Sequence, residues 1–99
     1  HWQRVQQGHA AANTLPVIAA NRTGVEAGES CTLTFYGSSF ATDYTGKIIA
    51  EADRQSEGVI YAEYDLPSIA KQRNYWALFS DRRPEEYARV CQDGYQERL

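Results

Sequence analysis

Leu15-Pro16-Val17-Ile18-Ala19-Ala20-Asn21-Arg22 decides the architecture. Leu15–Ala20 runs without a polar residue and stops at a polar pair, the pattern of a strand buried on both faces. Such a strand needs a cover on each side. Ahead of it, His1–Asn13 contains no proline and reads as a helix. Val5, Gly8 and Ala12 fall on one face of that helix, with Trp2 at its upper end. A glycine inside a helix costs up to about 1 kcal/mol relative to alanine. Gly8 beside Ala11 and Ala12 therefore points to the close approach of another helix backbone; packing on the chain's own sheet is the other reading. The helix opens at residue 1 with no N-cap ahead of it, so the expectation is that something precedes it.

Beyond the strand, Asn21–Ser30 is polar, carries Gly24 and Gly28, and reads as a loop. Thr32–Tyr36 sets Leu33 and Phe35 against threonines, a half-buried strand that Gly37 breaks. Ser39–Asp43 continues extended and Tyr44-Thr45-Gly46 supplies a turn. Lys47–Ala52 and Val59–Tyr64 are expected to be two more strands around the polar connection Asp53–Gly58. In the second, Val59, Tyr61 and Glu63 alternate with Ile60, Ala62 and Tyr64. Asp65 is a good N-cap and Pro67 suits a first turn, so a helix is predicted from about Leu66 to Leu78. Ile69, Arg73, Trp76 and Phe79 recur along it near helical spacing. After the break at Ser80–Pro84, a shorter helix should run to about Cys91, with Glu85 and Glu86 at its positive end. Gln92–Leu99 is polar, and residues 80–99 together are expected to be an extended tail. Helix, strand, loop, three-strand meander, helix and tail give too few layers to cover the sheet.

The 99 residues fit at most one small domain. With 42% hydrophobic and 12% aromatic residues, the chain is too apolar for a disordered tail. A net charge of −3 leaves no electrostatic footprint for nucleic acid. No apolar run approaches the roughly 18–20 residues that cross a bilayer, and HWQRVQQGHA lacks the pattern of a signal peptide. The expectation is a soluble, cytoplasmic chain that is part of something larger, or an obligate partner in it.

No complete catalytic constellation emerges from the residues. Cys31 follows the acidic Glu26 and Glu29, the opposite of the electropositive setting that a reactive thiolate needs. Cys31 and Cys91 are isolated, and two reduced thiols are the plainer reading than one disulfide. His1 and His9 are about two helical turns apart, too far for one metal ion; no metal or other cofactor is expected. Ser38 and Ser39 in GSSF lack the second glycine of a nucleophile elbow. Glu51, Asp53, Glu57 and Glu63 could be paired for acid–base work, but a solvated sheet face accounts for them better. Arg73, Arg82, Arg83, Trp76 and Tyr87 mix basic and aromatic residues. Asp81, Glu85 and Glu86 interleave with them, so a salt-bridge set within the tail or between subunits is expected.

Several segments carry a resemblance. His1-Trp2-Gln3-Arg4-Val5 with Gln7-Gly8-His9-Ala10-Ala11-Ala12-Asn13, and Pro16–Arg22 with Gly24, resemble the carbon–nitrogen hydrolase (nitrilase) superfamily. So do Phe35-Tyr36-Gly37-Ser38-Ser39-Phe40, Tyr44-Thr45-Gly46, Tyr75-Trp76-Ala77-Leu78-Phe79 and Asp81-Arg82-Arg83-Pro84-Glu85. The likeness covers roughly residues 1–90 and is strongest to the subfamily that hydrolyses N-carbamoylputrescine. Positions 23–34 depart most: Thr23 stands where an apolar residue is usual, and Cys31 is not a family feature.

The resemblance implies an α/β fold, the C-terminal portion of a four-layer α-β-β-α sandwich. It implies hydrolysis through a Glu-Lys-Cys triad: the cysteine attacks the carbamoyl carbon, the glutamate is general base, and the lysine stabilises the tetrahedral intermediate. That triad lies upstream of the matched segment, so this chain holds no catalytic residue and alone should be inactive. N-carbamoylputrescine would give putrescine, ammonia and carbon dioxide, a step of polyamine synthesis. The implied partners are the N-terminal catalytic half and further copies in a homo-oligomer. Its interface would use Trp2, Val5, Gly8, His9, Ala12, Trp76, Phe79, Arg82 and Arg83. Asn21, Arg22 and Tyr36 would stand at the pocket rim. A β-ureidopropionase-like amidase, or a non-catalytic assembly or binding module, are the rival readings.

Overall fold

The computed structural model describes residues 1–92. Helix α1 (Trp2–Asn13) is followed by strands β1 (Ile18–Ala19), β2 (Thr23–Ala27), β3 (Thr32–Tyr36), β4 (Phe40–Thr42) and β5 (Ile48–Glu51). Helix α2 (Leu66–Trp76) and a 3-10 turn at Pro84–Glu86 complete the order. The strands form two sheets: an antiparallel three-stranded one in the order β1-β4-β5, and the hairpin β2-β3.

The core gathers on β4, whose Phe40, Ala41 and Thr42 are all buried. In register, Ala19 lies opposite Phe40 and Phe40 opposite Glu51. Helix α1 packs on the Phe40 side, where the Trp2 ring meets Phe40 edge-on at 5.3 Å between centroids. Along the same face, Gln3 Nε2 donates to Glu51 Oε1 at 3.0 Å and Gln7 Nε2 to the Gly46 carbonyl at 2.9 Å. Gly46, at φ +85°, passes so close under the helix that a Cβ would stand 2.5 Å from the Gln7 carbonyl oxygen. A side chain there would push helix and sheet apart.

Both helix ends follow from local chemistry. Thr14 closes α1 in the left-handed region at φ 50°, and Ala77 closes α2 at φ 53°. Asp65 caps α2 as expected, its Oδ1 accepting the Ser68 N–H at 3.0 Å, with Pro67 in the first turn.

Four expectations are corrected. Asn21–Ser30 is not a loop: Thr23–Ala27 pairs with Thr32–Tyr36, and Gly28 N–H closes the turn on the Cys31 carbonyl at 2.8 Å. Gly24, at φ +97°, is a kink inside β2 rather than the end of a segment. Leu15–Ala20 is not buried on both faces: only Ile18–Ala19 pairs, at a sheet edge, and Ile18 is 69% exposed. Val59–Tyr64 is extended but pairs with no strand among the described residues. The helix expected from Pro84 shrinks to one 3-10 turn followed by turns. Residues 93–99 of the expected tail lie outside the described residues.

The molecule is an open slab, 49 × 46 × 15 Å, with a radius of gyration of 18.5 Å. A compact chain of this length would have a radius of about 13 Å. Its accessible surface is 8589 Å², where a folded monomer of 11.2 kDa exposes about 5700 Å². Ala10, Phe40, Ala41 and Ile69 are the only buried apolar residues among those described.

Candidate functional site

Asn21 and Arg22 leave β1, Tyr36 ends β3, and all three meet at the corner Gly37-Ser38. Both corner residues are left-handed, Gly37 at φ +52° and Ser38 at φ +61°. That geometry is held from three sides. Asn21 Nδ2 donates to the Gly37 carbonyl at 2.7 Å, and Asn21 N–H to Ser39 Oγ at 2.8 Å. Gly37 N–H donates to the Arg22 carbonyl at 2.9 Å, and Ser38 N–H to the Asp53 carbonyl at 3.0 Å. Ser39 in turn accepts the Ala52 N–H on its carbonyl at 2.8 Å. A Cβ on Gly37 would lie 2.6 Å from Thr23 Cγ2 and 2.9 Å from the Asp53 carbonyl oxygen, so only glycine fits.

A groove of about 660 Å³ opens beside this corner, lined in part by Asn21, Arg22, Ser39, Glu51, Asp53 and Glu57. A second of about 790 Å³ lies across the Glu51–Asp53 ridge, between Trp2, Tyr36, Ser38 and Arg54. The two grooves divide the rim residues: Asn21 and Arg22 face the first, Tyr36 the second. Asn21 has its amide committed to the corner. Arg22 is held by Glu26 at 2.6 Å and by the Phe35 ring, 4.2 Å beneath its guanidinium. Tyr36 stacks edge-on to Trp2 at 6.0 Å and lies 5.8 Å from the Arg54 guanidinium.

Asp53 is the residue that sequence reasoning undervalued. Its Oδ1 accepts the N–H groups of Gln55 at 2.7 Å and Ser56 at 2.6 Å. Those hydrogen bonds, Ser56's first and Gln55's second, hold its carboxyl below the usual carboxylate range. The signal was the Asp-x-x-Ser spacing after a strand, an Asx turn. Glu51, by contrast, is tied to Gln3. Among the described residues neither groove is lined by a cysteine, and Cys31 and Cys91 are exposed, unpaired thiols elsewhere. This wall can shape a pocket and orient a polar ligand. No cluster of metal-ligating side chains occurs among the described residues.

The expected interface residues separate by face. Val5, Gly8, His9 and Ala12 are exposed, on the side of α1 away from Gln3, Gln7, Ala10 and Thr14, which meet the sheet. Nothing lies within 4 Å of a Cβ built on Gly8. Trp2 instead turns inward onto Phe40. Trp76 and Phe79 are 57% and 60% exposed. Arg82 stacks on the Phe79 ring at 3.5 Å, and Arg83 pairs with Glu85 at 3.3 Å and Glu86 at 3.0 Å within the tail.

Comparison with known proteins agrees with this architecture. Residues 1–74 match the Carbon-nitrogen hydrolase family. The chain is 58% identical over 90 residues to citrullinase of Francisella tularensis, covering 91% of this chain and 32% of that protein. It is 50% identical over 91 residues to N-carbamoylputrescine amidase of Arabidopsis thaliana, covering 88% and 30%. The crystal structure of a carbon-nitrogen hydrolase from Helicobacter pylori G27 superposes with a TM-score of 0.78 at 39% identity, over 93% of this chain and 32% of that one. The chain thus spans about a third of the length of the relatives it matches. No helix among the described residues is long and apolar enough to cross a membrane. Helix-backed sheet, matched residues and superposition agree: the chain belongs to the carbon-nitrogen hydrolase family.

Proposed function

We propose that these residues are the C-terminal part of a cytoplasmic amidohydrolase that cleaves the terminal carbamoyl group of N-carbamoylputrescine, yielding putrescine, ammonia and carbon dioxide. The observation that carries this reading is the 50% identity to the Arabidopsis enzyme, repeated at 48% and 44% in rice and potato proteins of the same name. Citrulline is the second reading, favoured by the 58% identity to citrullinase. The two substrates are chemically close. Both end in a ureido group, and removing the α-carboxylate of citrulline gives N-carbamoylputrescine. Either way the thiol, base and lysine come from outside these residues, and the outer face of α1 with Trp76, Phe79, Arg82 and Arg83 serves a subunit contact.

The role of this portion is to build one wall of the pocket. Asn21 and Asp53 brace the corner from which Tyr36 and Arg22 project, leaving the reacting bond to groups elsewhere in the protein. The test is ammonia release from N-carbamoylputrescine and from citrulline. The full-length protein should turn over the first faster, and the isolated 99 residues should release nothing above background from either. Faster turnover of citrulline would replace the substrate; activity in the isolated chain would overturn the assignment of the chemistry.

A further inference from the structure

Among the described residues, Thr14, Ser38 and Ala77 have a left-handed backbone without being glycine. Thr14 and Ala77 end helices, where that conformation closes the last turn. Ser38 ends no helix. It follows the left-handed Gly37 directly, at φ +61°, where a glycine would carry no steric cost. Such strain persists where the side chain is needed, and the Ser38 hydroxyl has a defined use. It donates to the Tyr36 carbonyl at 2.9 Å, reaching back across Gly37 to the last residue of β3. The Ser38 backbone is fixed in turn, its N–H donating to the Asp53 carbonyl at 3.0 Å. Tyr36 is thereby tied, through Ser38, to the segment that follows β5. The Tyr36 ring and Ser38 line the same groove of about 790 Å³, and Tyr36 is 44% exposed, which leaves its ring open to a ligand.

We infer that Ser38 is a positioning residue for the substrate: its hydroxyl holds Tyr36 where the ring receives the carbon chain beside the ureido group. This rests on the reading that the corner is a wall of the pocket. It applies to N-carbamoylputrescine and citrulline alike, since both carry that chain. A ring packed on methylene groups holds them equally well in the bound substrate and in the transition state. Loosening the ring therefore raises KM and leaves kcat unchanged.

The experiment measures KM, kcat and the thermal midpoint of the full-length protein and its variants, with whichever of the two substrates releases ammonia faster. Ser38→Gly relieves the backbone and removes the hydroxyl. Its midpoint should rise while its KM rises about three- to tenfold, the equivalent of one hydrogen bond. Ser38→Ala keeps the strain and lacks the hydroxyl, so KM should rise as far with no gain in midpoint. Ser38→Thr keeps the hydroxyl on a backbone that β-branched residues seldom adopt, so its midpoint should fall while KM stays at the wild-type value. Threonine holds this conformation at position 14, so the variant should fold; should it not, Ser38→Gly and Ser38→Ala decide alone. A hydroxyl with a merely structural role predicts a KM that follows the midpoint through the series. That result, or an unmoved KM in Ser38→Gly, would overturn the inference and spare the proposed function. A full-length protein that releases ammonia from neither substrate would sink both.

Discussion

Gly37 shows how much a single position can carry. Its left-handed backbone and the contacts at 2.6 and 2.9 Å leave no room for a methyl group. Gly37→Ala should therefore cost about 2–4 kcal/mol, combining left-handed strain with overpacking. Urea denaturation of the full-length protein checks it, and a loss under 1 kcal/mol would mean the corner can yield. The sequence shows a glycine that ends a strand; that the next residue is also left-handed depends on Asn21 and Asp53 arriving from other elements. Asp43 gives the pH prediction. Burial pushes its carboxyl up, but hydrogen bonds from the Thr45 hydroxyl, the Thr45 and Lys47 N–H groups and the Lys47 charge together hold it below the usual range. Because the folded value is depressed, its contribution is present above about pH 4, the unfolded value, and fades as pH falls through the folded one. An NMR titration should find Asp43 below the usual carboxylate range, with the turn at residues 43–47 loosening only in acid.

At the scale of elements, helix α1 was legible as a helix, but only one of its two faces was. The small outward face of Val5, Gly8 and Ala12 could be read from spacing alone. The inward one, built on Gln3, Gln7 and Ala10, could not, since glutamines rarely mark a core face. Gly8→Ala separates the uses of this helix. In the isolated chain it should stabilise α1 by up to about 1 kcal/mol, since a Cβ there meets nothing. In the full-length protein it should weaken subunit association, seen by sedimentation; unchanged association would remove Gly8 from the interface. The hairpin β2-β3 was illegible for the opposite reason. Gly24 and Gly28 look alike in sequence, yet one kinks a strand and the other makes the turn. Asp65 and Pro67 fixed the start of α2 because capping is a local matter, whereas pairing of Val59–Tyr64 needs a partner that no local pattern supplies.

For the whole molecule, the expectation of too few layers matches the finding of a slab 15 Å thick. Asn21, Arg22 and Tyr36 meet at one corner but face two grooves rather than one. Asp53, which lines both grooves, is brought to the corner only by the long-range pairing of β4 with β5. Family membership could be read from the residues, whereas no complete catalytic constellation emerged from them. The central claim is that these residues work as part of a longer hydrolase, and the intact mass of the polypeptide carrying them in its own cells tests it most directly. A species of about three times 11.2 kDa, matching the length of the relatives, is the predicted result. A species at 11.2 kDa would contradict the account and leave binding or assembly as the function.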